Sequence, residues 1–199
     1  MKIIITGLDA SGKTRLAAEL ATLTGLAHIE DDRHRYVSKS DWVKKSKIEF
    51  ISSVHKAVAE HAAQGRECVL DCAYNDAYDP EHAMIALMRD AVASAPIDKK
   101  PVLVVLTMGT LAEAVETLLG RVVGRATGAY ASPVIDESPA NSANLLIKFV
   151  QTYHWNVAAL EELSVFAREQ GCTVYTGRYE DMRAIVMGVA TGGPHPFQF

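Results

Sequence analysis

Between Gly7 and Thr14 the chain reads GLDASGKT, a G-x-x-x-x-G-K-T pattern. Glycines at its two ends let the backbone turn several N–H groups toward one anion. Lys13 is a point charge able to reach the outer phosphates of a nucleoside triphosphate, and the Thr14 hydroxyl is placed to help hold Mg2+. Gly7, Ala10, Ser11, Gly12, Lys13 and Thr14 are therefore candidates for binding ATP, with Thr14 also a candidate metal ligand. Asp9 is out of character in a loop that receives anions. Its carboxylate could accept a hydrogen bond from a neutral hydroxyl of a second substrate, or it could stabilise the loop's own turn.

Such a loop needs a strand before it and a helix after it, so that the positive end of the helix dipole meets the phosphates. KIIIT (Lys2–Thr6) reads as a strand covered on both faces. From Lys13 to Thr24 the apolar spacing turns helical, with Leu16, Leu20 and Leu23 on one side and Gly25 as the stop. The alternation then continues along the chain. Strands are expected at Leu26–Glu30, Glu67–Ala73, Pro101–Thr107 and Cys172–Thr176. Helices are expected at about 46–64, 80–95, 111–123, 144–170 and 180–189, with a charged loop at 31–45. Strands alternating with helices imply a parallel sheet with right-handed crossovers and helices on both faces, and ligands then bind beyond the carboxyl ends of the strands. That inference gathers Gly7–Thr14, Glu30–Arg35, Asp71–Asp76, Met108–Thr110 and Gly177–Glu180 on one rim.

Three groups on this rim carry chemistry. Asp71 ends an apolar strand beside the phosphate loop, where a carboxylate can hold the hydration shell of Mg2+ or the acceptor. Glu30, Asp31 and Asp32 end the second strand, a place where resemblance to small-molecule kinases implies a carboxylate that binds acceptor or metal or accepts a proton; Asp32 is the first choice and Asp31 the second, against a solvated turn or helix cap. Arg121 and Arg125, four apart, share a helix face and precede a segment rich in Gly, Ala, Ser and Pro, so they could bring positive charge to a transferring phosphoryl group. That segment, about 124–143, is too long for a simple connection, and loops of that length are often functional lids. The seven histidines show no metal-ligand spacing and read as structural or surface residues.

Composition narrows the alternatives. The 199 residues suit a single domain over 1–199, and 49% hydrophobic content fits a globular fold. A formal net charge of −4 argues against a broad basic face for polynucleotides, although a local basic pocket stays open. No apolar run approaches the roughly 20 residues of a membrane span. Cys68, Cys72 and Cys172 are odd in number and read as reduced, packed thiols of a cytoplasmic protein.

KIIIT followed by GLDASGKT resembles the thymidylate kinase group of the nucleoside monophosphate kinase-like family of P-loop proteins, tightly over about Ile3–Leu20; VLDCAY resembles that family's third-strand segment. The resemblance implies a P-loop NTPase fold: three α/β/α layers on a five-stranded parallel sheet, ordered 2-3-1-4-5 as counted along the chain. It implies that Asp9 contacts a sugar hydroxyl of the acceptor nucleotide and that Arg33 and Arg35, with Lys44, Lys45 and Lys47 nearby, lie where the acceptor phosphate binds. It also implies an acceptor-binding segment at about 31–65, a lid that carries Arg121 and Arg125 over the phosphates, and an adenine-facing turn at Gly177, Arg178 and Tyr179. The expected activity is Mg-ATP-dependent phosphoryl transfer to a (deoxy)nucleoside monophosphate. The alternatives are transfer to a hydroxyl of a small metabolite or to a modified DNA base or end, and a nucleotide-binding switch without transfer. A homodimer is compatible with all three.

Overall fold

The computed structural model describes residues 1–38, 43–74, 82–127 and 139–190. Five parallel strands form the centre: β1 (Ile3–Gly7), β2 (Ala27–Glu30), β5 (Cys68–Ala73), β6 (Val102–Leu106) and β7 (Val174–Gly177). They lie side by side as β2-β5-β1-β6-β7. The numbered order is not the expected 2-3-1-4-5, because two short strands unforeseen in the sequence enter the count. These are β3 (Tyr36–Ser38) and β4 (Val43–Lys44), an antiparallel pair in a sheet of their own.

Alternation along the strands divides the core in two. On one face Ile3 and Ile5 of β1, Val69 of β5 and Val104 and Leu106 of β6 pack against Leu16, Ala17 and Leu20 of α1 (Lys13–Thr24) and Met182 and Val186 of α7 (Tyr179–Ala190). On the other, Ile4, Ile29, Leu70, Leu103 and Val105 meet α3 (Lys47–Ala63), α4 (Ala83–Ser94) and α6 (Pro139–Glu169) through Phe50, Val54, Leu87, Met88, Phe149 and Leu163. The central strands are buried on both sides, hence their continuous apolar runs. The outer strand β2 instead alternates buried and half-buried residues, with His28 and Glu30 on the α1 side.

Local chemistry sets the helix ends. Ser46 and Glu49 form a reciprocal capping box at the start of α3. Pro139 stands first in α6, where its missing N–H costs nothing. The charged segment expected as a loop is a short helix, α2 (Asp31–Arg35), before the β3–β4 pair. Asp31 and Asp32 sit at its positive end and Arg33, His34 and Arg35 at its negative end, a charge order that favours the helix dipole. The helix before the expected lid, α5 (Leu111–Ala126), extends past Val123, so Arg121 and Arg125 share one helix. Most of the expected lid, 128–138, lies outside the described residues, as do Pro80 and the C-terminal tail. Cys68, Cys72 and Cys172 are buried and form no disulfide. Among the described residues no helix is long and apolar enough to cross a membrane.

Leu70 is fully buried in β5 between neighbouring strands. Leu70→Ala should lower the unfolding free energy by about 2–5 kcal/mol, the range for a leucine truncated in a packed core. Urea unfolding of both proteins measures it.

Candidate active site

The phosphate loop leaves β1 under tight backbone constraint. Gly7 has φ +148°, and a Cβ there would lie 2.3 Å from the Leu106 carbonyl oxygen of β6. Ala10 (φ +65°) and Gly12 (φ +92°) also take positive φ. These conformations fold the loop over its own carbonyls. The Leu8 oxygen accepts from the Ser11 N–H at 3.2 Å and from the Lys13 ammonium at 2.7 Å. Lys13 is buried, at 6% exposure, and among the described residues has no carboxylate partner. The first turn of α1 has neither a side-chain cap nor an acidic residue, so its unpaired N–H groups and positive dipole end remain for an anion. The Ser11 hydroxyl is buried without a partner among the described residues. Thr14 is exposed at the helix start and Asp9 is half-buried in the loop.

The acidic residues separate by environment. Asp31 is buried, and Arg35 donates to it at 2.5 Å while lying 3.4 Å from the more exposed Asp32. Burial pushes the Asp31 carboxyl up; Arg35 opposes that, Asp32 and Asp71 add to it, and the group settles at about 7. Arg35 is in turn held more firmly cationic by the two carboxylates. Arg33 makes two hydrogen bonds to Glu30, at 2.7 and 3.1 Å. Both arginines expected at an acceptor phosphate are therefore paired with acids. Lys45 donates to the Ser53 hydroxyl at 3.0 Å, and His34 Nδ1 lies 3.0 Å from the same oxygen.

Asp71 sits on the α1 face of β5, paired in register with Ile5 and Glu30. It is buried, and the His28 Nε2 lies 3.7 Å from Asp71 Oδ2. In the sequence His28 stands among the histidines that read as structural or surface residues. The strand alternation of AHIE was the available signal, since it sets His28 beside Glu30 and on the face that carries Asp71.

On the opposite side of the rim Arg178 is tied to Glu113 at 3.0 and 3.1 Å, rather than free to stack on a base. Glu113 also closes a capping box with Thr110 at the start of α5. Tyr179 packs against Gly12, where a Cβ would meet its ring at 2.6 Å. Its hydroxyl donates to Glu19 at 2.9 Å, and the Arg15 guanidinium lies 5.0 Å from the ring centroid. This contact between α1 and α7, also missed in the sequence, fixes the far wall of the loop. Arg121 is exposed and unpaired among the described residues; the Arg125 side chain lies outside them.

Among the described residues no three His, Cys, Asp or Glu side chains form a metal cage. Mg2+ does not need one: it keeps several waters and takes one or two protein oxygens beside substrate phosphates. The Thr14 hydroxyl and the Asp71 carboxylate, which receives no hydrogen bond from the described residues, are chemically suited to that sparse set.

No protein-family model matches this chain, and no curated protein matches it in sequence. Solved structures similar to it include three proteins. A sugar kinase from Janibacter sp. HTCC2649 is 15% identical, over 97% of this chain and 95% of that one, with a TM-score of 0.49. Shikimate kinase from Acinetobacter baumannii is 14% identical, over 96% and 93%, with a TM-score of 0.43. A tRNA isopentenylpyrophosphate transferase from Staphylococcus epidermidis is 14% identical, over 96% and 99%, with a TM-score of 0.43. At such identities and TM-scores, the reading of this chain rests on its own residues.

The burial of Asp31 has a measurable consequence. Its carboxyl is raised from 3.8 to about 7, so folding favours the protonated form. The stability this group contributes is full below about pH 4 and is lost as pH rises to about 7. Asp31→Asn removes the titration. The urea midpoint of the wild type, minus that of the variant, should fall across this window; a flat difference contradicts the assignment.

Proposed function

We propose that this chain is a Mg-ATP-dependent phosphotransferase whose small acceptor binds beside Asp31 and Arg35. The buried Lys13 ammonium carries this reading. It lies at an uncapped helix start, faces a carbonyl instead of a carboxylate, and sits in a loop whose backbone is already bent around one centre. Bound Mg-ATP would supply the transferable phosphoryl group, with Thr14 and Asp71 holding the metal and its waters. Gly7, Ala10, Ser11 and Gly12 shape the cradle, and Lys13 moves from the Leu8 carbonyl to the phosphates.

In the transfer the acceptor oxygen bonds to the γ-phosphorus as the bond from that phosphorus to the bridging oxygen breaks, and the acceptor proton goes to a carboxylate. Asp31, whose carboxyl is raised to about 7, would take that proton. Arg121 and Arg125 on α5 would supply positive charge from the side of the lid, and closure of about 124–143 would exclude water. The expected acceptor segment, about 31–65, comprises α2, the β3–β4 pair and α3. Arg178 would serve the adenine side only after leaving Glu113.

The acceptor this geometry favours is a hydroxyl on a small metabolite. A phosphate-bearing acceptor needs unpaired cations, and Arg33 and Arg35 both face carboxylates. A (deoxy)nucleoside monophosphate is the second reading, carried by Asp9 in the loop, an acceptor suited to a sugar hydroxyl.

Coupled ADP release with a panel of polyols, hydroxy acids and nucleoside monophosphates tests the proposal. At least one acceptor should raise the rate in a Mg2+-dependent way, and Lys13→Ala should lower it by about 100-fold or more, the scale for losing a preorganised charge at the transferring group. If no acceptor exceeds the Lys13→Ala background, the kinase reading fails. Asp9→Ala separates the two acceptors: with a nucleoside monophosphate acceptor it should raise the acceptor KM far more than the KM for ATP. Equal changes in both return Asp9 to a role in the loop's own turn.

A further inference from the structure

We infer that His28 is a positioning residue that orients Asp71 for the metal, an inference that rests on the assignment of Asp71 above. Two adjacent strands create the arrangement. His28 and Glu30 point to the same face of β2, and Glu30 stands in register with Asp71 on β5. The imidazole is thereby set between two carboxylates, with Nδ1 3.8 Å from Glu30 Oε1 and Nε2 3.7 Å from Asp71 Oδ2. Those distances are each less than an ångström beyond a hydrogen bond.

Competition for donors decides which nitrogen carries the proton. Glu30 already receives two N–H groups from Arg33. Asp71 receives no hydrogen bond from the described residues. His28 Nε2 is buried and has no hydrogen-bond partner there either. An imidazole N–H lowers the energy most where an unserved carboxylate stands next to an unserved buried nitrogen. The Nε2–H tautomer, closing the remaining gap by a small ring rotation, would hold one Asp71 oxygen and leave the other toward the phosphate loop. Carboxylates that act around metals are held by neighbours in this way, and loss of such a partner typically weakens metal binding 10- to 100-fold.

The test uses Mn2+ as the probe, with free ion read by electron paramagnetic resonance in the presence of the full chain and a non-hydrolysable ATP analogue. His28→Phe keeps the ring and removes the N–H; His28→Gln keeps a donor. The inference predicts that His28→Phe weakens Mn2+ binding about tenfold or more, while His28→Gln restores most of it and both variants keep the affinity for metal-free nucleotide. Unchanged Mn2+ binding in His28→Phe overturns it, as does an equal loss in both variants. Asp71→Asn separates this from the assignment beneath it: if that variant binds Mn2+ like the wild type, Asp71 is not at the metal and the inference falls with it. Should His28→Phe not fold, nitrogen-15 spectra of the wild-type histidines decide the matter. A His28 proton on Nε2 supports the inference, and one on Nδ1 overturns it.

Discussion

A buried ammonium held by one carbonyl is the interaction on which the rest of this molecule turns. Lys13 donates to the oxygen of Leu8 within its own loop, away from bulk water and with no carboxylate against it among the described residues. A buried cation without a counter-charge is costly, and a neutral carbonyl offsets only part of that cost. The loop can hold this arrangement because its backbone is constrained from both ends. Behind it, Gly7 presses so close to β6 that no side chain fits; ahead of it, the Tyr179 ring closes on Gly12 and is anchored through Glu19 to α1. The cradle is therefore a product of sheet and helix packing as much as of the eight-residue motif.

The acidic side of the rim follows a second logic, in which burial assigns the roles. Asp31 and Asp71 are buried, while Asp32 is half-exposed. Pairing with Arg35 keeps Asp31 from standing as an isolated charge, yet desolvation and its acidic neighbours still lift it toward neutrality. A carboxyl poised there can exchange a proton at ordinary pH. That pairing, with the pairing of Arg33 to Glu30, keeps both arginines from being the free cations that an acceptor phosphate would require. On the function proposed above, these pairings favour a hydroxyl-bearing acceptor with less negative charge over the nucleotide that the loop's resemblance implies.

Much of the scaffold was legible in the sequence because periodicity and glycine punctuation are local signals. KIIIT, VLVVL and the Leu16–Leu20 spacing each declare an element, and strand–helix alternation places their ends on one rim. The α2 helix and the β3–β4 pair were not legible. DDRHR has no apolar period, and its helix depends on charges arranged along the dipole and on an ion pair between Asp31 and Arg35. Partner choice was illegible for a similar reason. Arg33 and Arg35 lie only three and four positions from Glu30 and Asp31, but these pairs share a face only once α2 forms, and nothing local to Arg178 announces that Glu113, 65 positions away, will take it. His28 was hidden by its ordinariness, since one histidine in a short outer strand gains meaning only when β5 sets Asp71 beside it.

In the function proposed here, the Leu8 carbonyl is a resting partner for Lys13 and phosphate is its working partner. A crystal structure with Mg2+ and a non-hydrolysable ATP analogue tests this most directly. The outer phosphates should lie within the Ala10–Thr14 turn, with Lys13 Nζ moved from the Leu8 oxygen onto them and the metal between Thr14 and the Asp71 side. A nucleotide bound elsewhere, with Lys13 still donating to Leu8, would contradict it.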